Sequence, residues 1–557
     1  MPTLTSLNFD VQNHIMNFLP APDLSSLMRT CNHFADVALL PLCAHSKTPL
    51  KTMEQIVSFV HFLRLGTPST SRALFIKDLD FSFEEYRAPL TKASYFDVQE
   101  SEPSALFALP QYHPLDEERV LLASRNHALE CFLHALRNCQ KLRRLRVGRW
   151  FEDVPTAPLH RAISELPELE DLRMPMCPRS QLRLDLTIAQ LPLRKLVLRP
   201  GRWVEIPEVL VALAPLAATL TELDIPVCQW TAPGVVFPHV TKLGIEFPAS
   251  EDVVSDLVRT FPNLTHLSLR GTRNYHLCHT HSSRQDEDRL REHSQYQWHS
   301  LAGSWPPFVA VGAETPCALY TLALPFHVPH LTVGYSTGDP AEDMLPTILT
   351  DARPRCLEMH LRQVHYKYMP LPRRFSGLQP GDATSSLQRF ILNLEGDGIP
   401  DYVKMTALLV VSLAAPRSYV KAVSDPLALM QDELQRALSG LSVTHLLLKY
   451  SINHFRASCS YTRKVVRSIC SDTPARTAAL AQAVPSLRWI GAYIQVQGGP
   501  TWLYCWDVLR SLQRMTADLP VEFPYGAPPS VTLKEMSESA GWDVLRAEDM
   551  AEAACSC

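Results

Sequence analysis

The 557-residue chain is short of glycine, with 20 Gly against 45 Pro, the reverse of the usual balance. It lacks net charge as well: 53 Lys and Arg stand against 57 Asp and Glu, leaving −4. Nothing in that balance calls for nucleic acid or an anionic membrane surface as a partner. Long apolar runs are missing. The longest, Ala407 to Ala415, stops at Pro416, far short of the about 20 residues a spanning helix needs. The first residues carry no basic segment followed by an apolar core, so no signal peptide is expected. The 14 Cys include no CxxC pair, which suits reduced thiols in the cytoplasm or nucleus rather than a disulfide framework. P-loop, GxGxxG, HExxH and kinase signatures are absent too. The expectation is a chain that is not an enzyme and carries no cofactor.

Two amphipathic segments open the chain. Val11, Ile15, Phe18 and Leu19 recur at helical spacing, and Pro20-Ala-Pro22 stops that helix. Asp23 is placed to cap a second one, whose apolar residues are Leu24, Leu27, Met28, Cys31 and Phe34. A piece of about thirty residues hides too little surface to bury its own apolar faces, so they must dock elsewhere.

The order of residues resembles the F-box: Leu7, an aliphatic helix, Leu19-Pro20, the Asp23-Leu24 helix start, then Thr30-Cys31-x-x-Phe34. Asn8 stands where that motif usually has Pro, and Phe34 where it usually has Trp. The resemblance implies docking on the Skp-type adaptor of a cullin ubiquitin ligase through Leu7, Val11, Ile15, Leu19, Pro20, Asp23, Leu24, Leu27, Cys31 and Phe34. The chemistry would then belong to other subunits, and this chain would supply proximity. The competing reading is a binding scaffold never built into a ligase.

Beyond a linker helix at 46–70, a Leu-x-x-Leu-x-Leu pattern repeats. It begins at Ile76-Leu79-Phe81 and continues at Leu142-Leu145-Val147, Leu169-Leu172-Met174, Leu193-Leu196-Leu198, Leu220-Leu223-Ile225, Val240-Leu243-Ile245 and Leu264-Leu267-Leu269. From Leu145 on, the middle residues are 27, 24, 27, 20 and 24 apart, within the about 20–29 of leucine-rich repeats. Several instances are entered through an apolar-Pro pair, such as Leu166-Pro167 and Phe261-Pro262. Proline ends the preceding helix and is tolerated at the first residue of a strand, which accounts for its excess. Later instances are Leu319-Leu322-Leu324, Val328-Leu331-Val333, Leu357-Met359-Leu361, Leu387-Phe390-Leu392, Val443-Leu446-Leu448 and Leu487-Ile490. The expected fold is α/β: an F-box at 1–45, then at 71–518 an irregular leucine-rich-repeat solenoid with a curved parallel sheet, insertions at 83–126 and 271–316, and a loose tail at 519–557.

The 271–316 insertion is expected to be mobile and metal-free. His276, Cys278, His279 and His281 match no standard zinc spacing. The final Cys555-Ser-Cys557 is not a CaaX box. Residues around the middle Leu of each repeat face the open side of the sheet, because side chains alternate with period two. Arg144, Arg146, Arg173, Lys195 and Arg199 against Asp171 make that side basic, and an acidic or phosphorylated protein substrate is the expected ligand. Farther on, Glu222, Asp224, Lys242 and Glu246 reverse the sign.

Overall fold

The computed structural model describes isolated positions between 8 and 50 and residues 53–64, 72–82, 127–148, 157–175, 190–199, 209–225, 234–246, 251–270, 284–301, 305–335, 344–362, 384–396, 438, 441–452, 481–482, 484–496, 501–510 and 531–547. The expected insertion at 83–126 lies outside them, as does most of 1–45. The chain divides into two compact units, Met1–Leu243 and Gly244–Cys557. Both are α/β, with mostly parallel, open sheet and strands in sequence order.

In the first unit, β1 (Asp78–Phe81), β2 (Arg144–Val147), β3 (Asp171–Pro175), β4 (Lys195–Arg199) and β5 (Glu222–Ile225) are parallel neighbours. The period-two alternation puts Leu79, Phe81, Leu145, Val147, Leu172, Met174, Leu196, Leu198, Leu223 and Ile225 on one buried face. Helices cover that face. Phe132, in the helical stretch 127–137, meets Phe81 edge-on with ring centroids 4.8 Å apart, and packs on Phe59 of α1 (Met53–Arg64). Further helices precede β3 (α2, Ala157–Ser164) and β5 (α3, Val209–Ala212). Burying each large apolar side chain contributes about 1.5–3 kcal/mol. The opposite face carries the polar residues.

In the second unit, β7 (His266–Arg270), β8 (Ala310–Ala313), β9 (His330–Tyr335), β10 (Cys356–Arg362), β11 (Arg389–Gly396), β12 (His445–Ile452) and β13 (Trp489–Val496) run parallel. The short β6 (Lys242–Glu246) comes before them in the chain. Two antiparallel strands follow, β14 (Thr501–Arg510) on β13 and β15 (Val531–Glu535) on β14. The sheet is therefore not wholly parallel, as the repeats alone implied.

Three expectations change here. Leu319-Leu322-Leu324, read as a strand, falls on helix α6 (Pro316–Leu322). Its Leu spacing of three suits a helix face equally, and Pro316 at the first turn favours the helix. The strand of that repeat is β8, where Phe308-x-x-Val311-x-Ala313 supplies the buried residues.

The insertion, expected to be mobile, contains the 17-residue helix α5 (Arg284–Ser300). Its buried stripe is Glu287, Arg291, Ser294 and Trp298, with Gln297 beside it. These sit at helical spacing but are mostly polar, and Glu287, Arg291, Gln297 and Trp298 have polar partners. Arg291 donates to Tyr320 O at 2.9 Å and pairs with Asp351 at 2.7 Å, while Trp298 Nε1 donates to Leu322 O at 2.8 Å. Between α5 and strands β8 and β9, every residue of α6 is buried. Helices α4 (Val253–Thr260) and α7 (Met344–Ala352) flank this layer.

The region expected as a loose tail holds β15 and helix α8 (Glu538–Ala547). Ser537 Oγ accepts the Ala540 N–H at 3.2 Å and caps α8.

Candidate functional site

Two places bring chemistry-bearing side chains together, one in each unit. In the first unit the register aligns Asp78, Arg144, Asp171, Lys195 and Glu222 in a single row across five strands. Lys242 continues it, with Nζ 3.6 Å from Glu222 Oε1. The signs alternate at every step. Arg144 clasps Asp78 through two 2.6 Å hydrogen bonds, a bidentate fork, and that bond holds its guanidinium pKa above the ordinary value. Lys195 donates to Glu222. Burial would raise the Glu222 pKa, but the bond from Lys195 and the charge of Lys242 outweigh it and lower the value. Arg173 Nε lies 3.7 Å from Asp171 Oδ1.

This row lines a groove of about 500 Å³ that also takes in Lys77, Arg143, Glu170 and Arg194. The groove carries almost equal numbers of acids and bases, so the surplus of positive charge expected from Arg144, Arg146, Arg173, Lys195 and Arg199 does not describe it. The count over three repeats left out Asp78 of the strand before them and set Glu222 apart as a reversal farther along the face. Register also moves one residue. Val197, not Arg199, sits opposite Arg173, and Arg199 lies opposite Pro175 at the strand end. Arg146 and Arg199 are both exposed.

In the second unit the corresponding face is closed. Rows across β9 to β13 read Thr332, Glu358, Ile391, Leu447, Gly491 and, one step on, Gly334, His360, Asn393, Lys449, Tyr493. Helix α8 packs on the apolar part of this face. Leu545 joins the buried cluster of Ile391, Leu447, Trp489, Tyr493, Leu503 and Cys505, and the Trp542 ring meets Tyr493 edge-on at 6.0 Å. Gly541 is what lets α8 come this close, since a Cβ there would lie 2.4 Å from Cys505 Sγ.

Glu358 is the centre of the buried rows, at 4% exposure, and Lys449 is fully buried. His360 Nε2 lies 2.9 Å from Glu358 Oε1, His330 Nε2 lies 3.4 Å from Oε2, and Lys449 Nζ lies 3.6 Å from Oε1. Burial alone would raise the carboxyl pKa, but the hydrogen bonds from His330 and His360 and the fields of His360 and Lys449 overcome it, so Glu358 stays ionised far into acid. Asn393 Nδ2 faces His360 Nδ1 at 3.2 Å, which makes Nδ1 the acceptor and leaves the Nε2 proton for Glu358. Burial pushes the neighbouring Cys356 thiol up to about 12, with Glu358 adding to the effect, so it is a poor nucleophile. The repeat pattern concealed this cluster. Glu358-x-His360 was legible as two polar residues on one strand face, but not that the face would be buried.

One catalytic signature does occur in the sequence: Gly334-Tyr-Ser336-Thr-Gly338, a G-x-S-x-G run leaving β9. Ser336 lies outside the described residues. Gly334 has a packing reason, because a Cβ there would lie 2.6 Å from Glu314 O. His360, its neighbour in register, has both ring nitrogens engaged, by Glu358 and by Asn393, and none to offer a serine.

Among the described residues, no group of three or more His, Cys, Asp or Glu is placed to hold a metal ion, and no helix is long and apolar enough to cross a membrane. His276, Cys278, His279 and His281 are outside them. Of the expected adaptor contacts, Leu7, Pro20, Leu24, Cys31 and Phe34 are also outside. Val11, Ile15, Asp23 and Leu27 are helical and Leu19 lies at a bend. Searches of protein-family models and of curated proteins find no match to the chain.

Proposed function

We propose that the chain is the substrate-recognition subunit of an SCF-type cullin ubiquitin ligase. Its F-box would dock on a Skp-type adaptor and its leucine-rich-repeat solenoid would hold a protein substrate, in the cytoplasm or nucleus. The reading rests on the residue order from Leu7 to Phe34. A burial contrast in the first helix supports it: Met16 is fully buried, whereas Val11 is 46% exposed and Ile15 and Leu19 are half-buried. Val11 and Ile15, one turn apart and less buried than Met16, are the kind of apolar pair a docking helix presents. The strand–helix period of 20–27 residues supports the solenoid, since each unit buries its apolar side only against neighbours. No nucleic acid, membrane or cofactor enters the proposal.

The test is capture of adaptor and cullin by the full chain. Leu24→Ala with Leu27→Ala is expected to abolish capture, each side chain contributing about 1.5–3 kcal/mol if fully buried, while the far-ultraviolet spectrum stays unchanged. Normal capture by this variant would refute the proposal. Failure of the parent chain to capture adaptor would favour the plain scaffold.

A further inference from the structure

We propose that the charged face of β1 to β5 docks an α-helix whose exposed stripe alternates acidic and basic side chains, one sign per turn, laid across the strands. The argument is charge complementarity in both sign and spacing. The row Asp78, Arg144, Asp171, Lys195, Glu222, Lys242 changes sign at each strand, and strands lie about 4.8 Å apart. A helix crossing them presents a new side chain on one face every turn, about 5.4 Å. Over the about 19 Å from β1 to β5 the two spacings drift by about 2 Å, which Lys and Glu side chains absorb. An extended segment presents same-face residues about 6.7 Å apart and falls out of phase by the third strand, setting like charge over like charge.

The ion pairs along the row run sideways and leave the cations more outward than the acids: the Arg144 side chain keeps 55% of its surface exposed and Lys242 48%, against 29% for Asp78 and Glu222 and 13% for Asp171. A purely acidic or phosphorylated peptide meets a carboxylate at every second position of the row, which weakens its hold. A partner carrying both signs meets no such repulsion. The groove of about 500 Å³ along the row gives its side chains room. This inference borrows from the proposed function only the word substrate, since the binding needs no adaptor.

The probe is a fluorescein-labelled, hydrocarbon-stapled helix of about 15 residues, Ala-based, with Glu and Lys alternating each turn along one stripe. The control has the same composition with its Glu and Lys in two blocks. Full-length chain is expected to bind the alternating helix about tenfold more tightly than the blocked one, and the difference should shrink as salt rises from about 0.05 to 0.5 M. Arg144→Glu with Lys195→Glu is expected to remove the preference. Lys242→Glu, at the exposed end of the row, is a second variant that leaves the inner pairs intact and should weaken it. Equal affinity for both helices, no binding to either, or an unchanged preference in a folded variant overturns the proposal. Adaptor capture measured on the same preparation reports separately on the ligase reading.

Discussion

Replacing Glu358 with Gln keeps its size and removes its charge, leaving the nearby Lys449 ammonium buried without that carboxylate. The two are 3.6 Å apart, an attraction of about 4–5 kcal/mol at an effective dielectric of about 20. Desolvation offsets part of this in the intact pair, but not when one partner is removed, so the expected loss is about 3–5 kcal/mol. With two compact units the chain will not unfold in one step, so a global melting curve is a poor readout. Amide hydrogen exchange resolved to β10, β11 and β12 is the better one, and Glu358→Gln should speed it there and leave β1 to β5 unchanged. The double variant with Lys449→Met should recover most of the protection, because the ammonium is then gone too. The effect also has a pH signature. Glu358 has a depressed pKa in the folded chain, so its stabilisation is whole above about pH 4.3, the ordinary glutamate value, and fades as pH falls toward the folded value. Parent and variant should therefore converge in acid. Parent-like exchange in Glu358→Gln at neutral pH would refute the account of the cluster.

Two further outcomes are expected of the packing. Gly541→Leu drives a side chain into Cys505, 2.4 Å from its Cβ position, and should cost about 1–3 kcal/mol. A red shift in tryptophan emission and new dye binding should report that α8 has lifted, and unchanged spectra would argue against the close approach. Trp298→Ala removes the bond to Leu322 and the ring contacts with Trp305 and Phe326. It should cost about 3–5 kcal/mol and raise exchange in α5 and α6, whereas a silent substitution would mean that α5 is not anchored there.

The strands that the sequence made legible are those whose burial is local. Leu145, Leu172, Leu196 and Leu223 each repeat the same spacing, and their register follows from that repetition. What escaped depended on residues far away in the chain. The face of β10 to β13 mixes Glu358, His360, Asn393 and Lys449 with Ile391 and Leu447, and the helix that packs on its apolar part, α8, lies far along the chain. Helix α5 escaped because its buried stripe is Glu287, Arg291 and Ser294, and a search for apolar periodicity passes over it. The β13–β14 hairpin did leave a signal, since Gly498-Gly499-Pro500 separates two strand-like runs. The groove was misjudged for a simpler reason: the charge of a sheet face is set by rows across strands, and the count was taken along a few of them.

The packing of α8 on the cluster beside Glu358 also sets a timetable. Helix α8 begins 180 residues after Glu358, and ribosomes add about 5–20 residues each second. For about 10–40 seconds after Glu358 is made, the surface beside it faces water, with Ile391, Leu447 and Trp489 emerging there. Through that interval the apolar side chains of the nascent second unit that α8 will meet stay unsealed. A translational pause before Glu538 would lengthen the exposure.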